Sequence, residues 1–175
     1  MRWVALLRAV NLGARNKVPM AELRAQLEGA GYENVRTFIA SGNVLLDAPP
    51  GAAKLAAALE GLVADSFGVK TTAILRKPRQ LTEAVAAHPF CADTSRTHVA
   101  FLAARPTKAA AARLAAVEGG ADRAVLVGAE VYLRLSSGVH GTRLSIARIE
   151  SLLGVPATVR NWRTVVALAE LAAEA

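Results

Sequence analysis

The amino-acid sequence predicts an α+β fold made of two similar ferredoxin-like subdomains, whose sheets are antiparallel or mixed. The order strand, helix, strand, strand, helix, strand occupies residues 1–90 and recurs in residues 91–175, as in a pseudo-duplication packed as one compact unit. Within each half, two strands follow each other with only a short break, which is typical of antiparallel hairpins. A doubly wound parallel sheet is excluded because it needs a helix between all successive strands.

In the first half, short apolar and β-branched runs alternate with segments of helical periodicity. Pro19 suits a first helical turn, because its φ is fixed and its missing N–H is not needed there. Ser41-Gly42-Asn43 separates two strands, either as a tight hairpin turn or as a glycine bulge within one longer strand. The predicted elements are strands at residues 3–8, 35–39, 44–46 and 71–75, and helices from Pro19 and over residues 52–67.

A short connecting helix, bounded by prolines, is predicted within residues 78–89 and leads into the second half. There Gly128-Ala129 stands where a hairpin turn is expected, and Thr142 is placed to cap a helix. The predicted elements of this half are strands at residues 98–102, 123–127, 131–135 and 157–159, and helices at 107–117, 142–153 and from Trp162 onward.

The composition is that of an ordinary globular chain, with 53% hydrophobic, 20% charged and 5% aromatic residues. Charges interrupt every apolar stretch before the roughly 18 residues that a membrane span requires. The apolar run after Arg2 is too short for a signal peptide. Cys91 is the single cysteine, which fits a reducing compartment, and we expect it to be a small buried hydrophobe. We therefore expect a cytoplasmic protein without membrane contact.

A net charge of +7, carried by 16 Arg and 5 Lys, favours an anionic partner, either a small molecule or a nucleic acid. The alternative is a compositional bias that only keeps the protein soluble. No metal site is predicted, because one cysteine and three scattered histidines do not have the spacing of metal ligands. The sequence identifies no cofactor.

The loop between the first strand and the first helix is the leading candidate for anion binding. Main-chain N–H groups and the positive end of a helix attract anions at such a place. The loop lacks the Gly-Lys-Ser/Thr ending of a Walker A sequence. The structural alternative is that its Asn and Gly residues adopt positive φ and that Asn16 caps the helix. The residues concerned are Asn11, Gly13, Arg15, Asn16 and Lys17.

Two further glycine-containing loops carry groups that suit proton transfer. Ser41 and Asn43 flank Gly42, but a serine nucleophile needs a base, and nothing in the sequence places a histidine against Ser41. The interpretation as a turn is therefore favoured. His140 suits acid–base chemistry or a phosphate contact, and the simpler alternative is a solvated loop histidine.

The segment that begins the last helix combines cationic and aromatic side chains. Arg160 and Arg163 suit an anionic ligand, and Trp162 suits stacking. The alternative is that Trp162 is a buried anchor whose N–H still finds a partner. Asn161 or Thr158 is the expected helix cap.

The segments just described are similar to signature motifs of a known family. Residues 6–13 (Leu-Leu-Arg-Ala-Val-Asn-Leu-Gly), 37–44 (Thr-Phe-Ile-Ala-Ser-Gly-Asn-Val) and 158–165, with Arg-Asn-Trp at their centre, resemble motifs of the DUF1697 family of uncharacterised bacterial proteins. The sequence departs from the family's usual Gly, Gly, Gln and Asn at Ala9, Ala14, Ala40 and Arg163. The resemblance implies two similar α+β subdomains and implies no activity.

We therefore expect a binding protein for an anionic ligand, which would be a nucleotide, a phosphorylated metabolite or a nucleic acid. One alternative is a small-molecule enzyme with its pocket between the subdomains, in which Ser41, Asn43 or His140 takes part in proton transfer or oxyanion stabilisation. Another is a structural or interaction module without a concave polar site. The residues expected to line a shared binding surface are Arg8, Asn11, Arg15, Lys17, Ser41, Asn43, His140, Arg160, Asn161, Trp162 and Arg163.

Overall fold

The structure is a computed structural model that describes residues 1–90, 94–139 and 141–174. The chain forms two compact units. Unit 1 comprises the described residues of Met1–Leu81 and Leu168–Ala175, and unit 2 those of Thr82–Ala167. The boundary expected between residues 90 and 91 stays a prediction, as does the burial of Cys91, because residues 91–93 lie outside the described part.

In the part of the chain that the structure describes, each half has four strands and three helices in the same order. The first half consists of β1 (Arg2–Leu7), α1 (Met20–Gly29), β2 (Glu33–Phe38), β3 (Asn43–Asp47), α2 (Ala52–Phe67), β4 (Ala73–Arg76) and α3 (Pro78–Ala86). The second half consists of β5 (Thr97–Leu102), α4 (Lys108–Ala115), β6 (Arg123–Val127), β7 (Glu130–Arg134), α5 (Ile146–Leu153), β8 (Ala157–Asn161) and α6 (Trp162–Ala173).

Both sheets are antiparallel and have the same topology. The strand order is β2-β3-β1-β4 in unit 1 and β6-β7-β5-β8 in unit 2. In each case the first and last strands of the β-α-β-β-α-β series lie side by side, as in a ferredoxin-like fold. The predicted fold class of two similar ferredoxin-like subdomains is confirmed.

The hydrophobic core of each unit lies between one face of its sheet and the helices that follow the first and third strands. In unit 1 alternate residues of β1, which are Trp3, Ala5 and Leu7, pack with Leu23 of α1 and Leu59 of α2. In unit 2 the equivalent core contains Ala100, Leu102, Val131, Leu133, Leu114 and Ile149. This alternation follows from the two-residue period of a strand.

The duplication extends to one charged residue in each sheet. Arg76 of β4 pairs with Val4 of β1, and Arg160 of β8 pairs with Val99 of β5 at the equivalent register position. Both arginines are 6% exposed. In both, Nη1 donates to the carbonyl of the preceding residue at 2.9 Å. A buried arginine at this position is therefore part of the shared plan of the two units.

Two helix starts differ from the predictions. The predicted cap Asn16 does not cap α1, whose N-cap is Pro19, and its side chain donates to the carbonyl of Ala9 instead. The predicted helix start at Thr142 is wrong, because α5 begins at Ile146 with Ser145 as its N-cap. Thr142 Oγ1 accepts from the Leu144 N–H at 3.0 Å ahead of the helix, and its hydroxyl donates in a tertiary hydrogen bond, described below, that a sequence pattern does not indicate. By contrast, α2 covers residues 52–67 as predicted, and α6 begins at Trp162.

Within the described residues, the structure has no helix that is both long enough and apolar enough to cross a membrane.

Candidate anion-binding site

The loop between β1 and α1 is held in shape by the side chain of Asn11. Its Nδ2 donates to the carbonyls of Val18 at 2.8 Å and Ala40 at 2.7 Å, and its Oδ1 accepts from the Val18 N–H at 2.8 Å. Its main-chain N–H donates to Asn16. Asn11 therefore braces the loop and joins it to the turn between β2 and β3.

The same region holds several residues in left-handed backbone conformation. In the loop, φ is 57° at Ala9, 54° at Asn11, 58° at Gly13 and 52° at Asn16, and in the adjoining turn it is 49° at Ile39. Gly and Asn tolerate this conformation, whereas an alanine or a β-branched residue is strained by about 1–2 kcal/mol. Backbone strain of this kind persists only where the surrounding structure enforces it, and it concentrates at functional sites.

The turn between β2 and β3 packs directly against the loop. Gly42 accepts a hydrogen bond from the Leu7 N–H at 2.8 Å, and a Cβ at Gly42 would lie 2.4 Å from Val10 Cγ2. Asn43 is buried, and its Nδ2 donates to the Phe38 carbonyl and the Ser41 hydroxyl, both at 3.0 Å. The hairpin-turn interpretation of this segment is confirmed, and Ser41 and Asn43 stabilise the turn.

Four of the side chains that the loop and the turn expose are long aliphatic or cationic ones. Leu12 and Ile39 are 61% and 51% exposed. Arg15 and Lys17 are exposed as well, and neither side chain has a hydrogen bond or an ion pair with the described residues. We call these four residues the two-loop surface. It combines two unpaired cations with two aliphatic side chains on a rigid backbone.

Arg8 lies at the base of the loop and is half-buried. Its N–H donates to the Thr72 carbonyl at 2.9 Å, and its own carbonyl accepts from the Thr71 hydroxyl at 2.7 Å. The backbone of Arg8 therefore continues the pairing of β1 with the segment before β4.

In unit 2, the four predicted residues around the start of α6 have different environments. Arg160 is buried, Nη1 donates to the Thr158 hydroxyl at 2.8 Å, and burial lowers its pKa to about 10. Asn161 caps α6, because its Oδ1 accepts from the Thr164 N–H at 2.9 Å. Trp162 is half-buried and Arg163 is exposed. Arg160 and Asn161 thus support the fold, while Trp162 and Arg163 reach the surface.

His88 is a member of this region that the sequence did not indicate. The centroid of its ring lies 4.2 Å from that of the Trp162 ring. The same ring makes edge contacts with the rings of Phe90 and Tyr132. Burial lowers the pKa of His88, and a hydrogen bond with the main chain of Phe90 partly opposes that effect. Tyr132 donates to the Ala84 carbonyl at 2.6 Å, and burial raises its pKa to about 12. These contacts join distant parts of the sequence, so no local pattern announces them.

Asp122 is a second residue that the sequence did not indicate. This buried carboxylate accepts hydrogen bonds from the N–H and hydroxyl of Ser136 and from the hydroxyl of Thr142. The hydrogen bond from Thr142, followed by those from Ser136, lowers the pKa of Asp122 despite its burial. Asp122 anchors the loop that precedes α5. His140 belongs to that loop but lies outside the described residues, so its proposed role stays a prediction.

The predicted site residues therefore fall into two groups. Arg8, Asn11, Arg15, Lys17, Ser41 and Asn43 belong to unit 1, and Arg160, Asn161, Trp162 and Arg163 belong to unit 2. A surface shared by both groups stays a prediction. Among the described residues, no group of three or more His, Cys, Asp or Glu side chains is arranged to hold a metal ion.

Fold and sequence together define the class of the protein, which is an α+β protein of two ferredoxin-like units. The chain belongs to the DUF1697 family, described as proteins of unknown function, whose model matches residues 1–132. It is also similar to the structure of the conserved bacterial protein SP0830 from Streptococcus pneumoniae, with 24% sequence identity, coverage of 98% of both chains and a TM-score of 0.73. At that identity the likeness shows the fold alone. A comparison with curated proteins found no match.

Proposed function

We propose that the protein binds a phosphate-bearing ligand, and that the two-loop surface of unit 1 makes the contact. The observation that carries this proposal is a division of roles within one loop. The neutral polar side chain of Asn11 is used to brace the backbone, whereas Arg15 and Lys17 are exposed and unpaired among the described residues. An arginine and a lysine near each other suit a phosphate group.

The rigidity of the loop supports binding rather than solubility as the role of these cations. A side chain on a mobile loop loses conformational entropy on binding, and a braced loop has less to lose. Here the hydrogen bonds of Asn11 and the tight packing around Gly42 hold the backbone in place. The left-handed conformation of Ile39 also supports a binding role, because backbone strain is retained where a particular geometry is needed.

The two exposed aliphatic residues restrict the class of ligand further. Leu12 follows Asn11, and Ile39 precedes Ala40, so both flank the hydrogen bond that joins the loop to the turn. A ligand that places an apolar group beside its phosphate would cover them. Nucleotides and single-stranded nucleic acids have this chemistry, since each base offers an apolar face next to a phosphate.

The test is the salt dependence of binding. A fluorescein-labelled 12-nucleotide single strand is titrated with the wild type and with the double variant Arg15→Gln/Lys17→Gln at several salt concentrations, and binding is followed by fluorescence anisotropy. The variant should bind more weakly, and its log K against log[salt] slope should fall by about 1.4, because each lost phosphate contact on a single strand contributes about 0.7. The charge-matched control is Lys54→Gln/Lys108→Gln, which removes two exposed lysines from helices α2 and α4.

Equal slopes for the two double variants would refute the assignment to the two-loop surface. Thermal-shift measurements with ATP and with inorganic pyrophosphate separate a small ligand from a polymer, because a ligand that binds the folded state raises its stability. Absence of binding to the oligonucleotide, ATP and pyrophosphate alike would overturn the proposal itself.

A further inference from the structure

Strand β6 forms an open edge of the sheet in unit 2. It pairs with β7 on one side, from Arg123 opposite Arg134 to Val127 opposite Glu130. On its other side the main-chain groups of residues 123–127 have no partner among the described residues. A row of unpaired N–H and C=O groups is a template for one more strand.

Beyond Arg123 at its first position, this edge lacks the features that normally protect an open strand. The pairing of β6 with β7 has no register shift, and the strand is apolar from Ala124 to Val127, where Val127 is 40% exposed. The equivalent edge strand of unit 1, β2, has a register shift between Glu33 and Arg36, and both of these residues are exposed. Bulges and charged residues are the usual protection against strand addition. The two related units therefore differ at the same edge.

A groove runs beside β6, under helix α4. Its cavity has a volume of about 440 Å³, and a second cavity of about 480 Å³ continues it toward the start of the strand. The small side chains of α4 leave this space open, since Ala111, Ala112 and Ala115 line it together with Ala124 and Leu126, the β6 residues on the helix-covered face of the sheet. Successive side chains of a strand alternate between the faces of a sheet, so every second side chain of an added strand would enter the groove.

The charges at one end of β6 favour an acidic segment as the added strand. Arg123 and Arg134 lie directly opposite each other and are both exposed. Like charges at such a position are unfavourable, and an anionic partner relieves them. Among the described residues, the Arg123 side chain donates to the main-chain carbonyls of Gly120 and Asp122 and has one weak electrostatic interaction, with the Asp122 carboxylate, whereas Arg134 lies directly opposite it. A second copy of this chain would bring further arginines and a net charge of +7 to the edge, which disfavours self-pairing.

We propose that β6 binds an extended peptide segment of a partner protein by strand addition. The segment carries acidic residues at the end that meets Arg123 and Arg134, and small apolar residues at alternate positions for the groove. Main-chain hydrogen bonds supply affinity in this mode, and the pockets for alternate side chains supply specificity. The site lies in unit 2 and does not depend on the function proposed for the two-loop surface.

The experiment uses the full chain and a fluorescein-labelled ten-residue peptide with two aspartates followed by alternating valine and alanine. Ala112→Phe fills the groove from an exposed position of α4 and should weaken peptide binding by about tenfold or more. The matched control is Ala109→Phe, which is exposed on the same helix and does not line the groove, and it should bind like the wild type. Arg123→Gln/Arg134→Gln should reduce affinity and make it less dependent on salt.

Hydrogen exchange supplies a second measurement, because strand addition should slow exchange of the amides of β6 and leave those of β2 unchanged. The proposal is overturned if the wild type does not bind the peptide, or if the two phenylalanine variants bind equally. It also fails if a peptide with lysines in place of the aspartates binds as tightly. Concentration-dependent dimerisation abolished by Ala112→Phe would identify a second copy as the occupant and would refute the peptide.

Discussion

Replacing Gly42 with alanine tests how tightly the turn between β2 and β3 packs against the β1–α1 loop. The added Cβ would lie 2.4 Å from Val10 Cγ2 and 2.9 Å from Leu7 Cβ, which is closer than real Cβ contacts come. The φ of Gly42 is 78°, a conformation that alanine rarely adopts. Both the backbone and the packing should therefore resist the substitution.

The expected magnitude is the sum of two effects. The left-handed conformation strains an alanine by about 1–2 kcal/mol, and forcing a methyl group into a filled space costs about 1–3 kcal/mol. We expect Gly42→Ala to lower the free energy of unfolding of unit 1 by about 2–5 kcal/mol. Gly13 in the same region provides the matched control, because its φ is 58° but no atom lies within 4 Å of an added Cβ. Gly13→Ala should therefore cost only the backbone strain of about 1–2 kcal/mol.

The assay is urea unfolding followed by tryptophan fluorescence. Trp3 is 4% exposed in the core of unit 1, and a Trp162→Phe background leaves it as the only tryptophan, so the signal reports on unit 1. The gain that alanine brings by restricting the unfolded chain is the same at both positions and cancels in the comparison. If the two glycine variants lose equal stability, the tight packing between loop and turn is refuted.

Three further changes test other parts of the structure. Asp122→Asn should lower the free energy of unfolding at pH 7 by about 1–3 kcal/mol, because a buried hydrogen-bonded carboxylate is lost. Folding lowers the pKa of Asp122, so the stability that its carboxylate contributes is present above the unfolded pKa of about 3.9 and is lost as the pH falls through the folded value. The free energy of unfolding of the variant should therefore fall less steeply below pH 4 than that of the wild type. An unchanged acid dependence would contradict this. Ile39→Asn should raise the free energy of unfolding by about 1 kcal/mol, because asparagine tolerates the left-handed conformation, and a loss of stability in urea would show that Ile39 is not strained. Asn161→Ala should cost about 0.5–2 kcal/mol through loss of the α6 cap, whereas Asn161→Asp should retain most of that stability, and equal thermal unfolding of both variants would exclude the capping role.

The candidate site was predictable in part. The asparagines and the glycine of residues 11–17 predict a loop with left-handed backbone conformations and side-chain hydrogen bonds to the main chain, and the structure has both. Which of them brace the loop and which remain exposed depends on atoms of the β2–β3 turn. The Ala40 carbonyl accepts from Asn11 across the loop, and no spacing in the sequence indicates that pair.

Helix starts show the same limit. Asn161 is one of the two caps that the sequence predicts for α6, and a cap acts on an N–H only a few residues away, which local sequence can indicate. Thr142 has an equally suitable side chain, yet its hydroxyl donates to Asp122 and the helix starts later, at Ile146. The Thr142 oxygen still accepts from the Leu144 N–H, so the tertiary hydrogen bond to Asp122 fixes Thr142 in the loop that precedes the helix and does not compete for its acceptor oxygen.

The sequence by itself determined the order of the elements, the class of the fold and the duplication, since strand and helix periods, glycines and prolines act over a few neighbouring residues. Only the tertiary structure decided which polar residues are consumed by the fold, as for Asn11, Asn43 and Asp122, and which are left for a ligand, as for Arg15 and Lys17. It also separated the protected edge strand β2 from the open edge strand β6. The physical reason is that hydrogen bonds and burial between segments distant along the chain depend on how strands are ordered and registered, which has no period in the sequence.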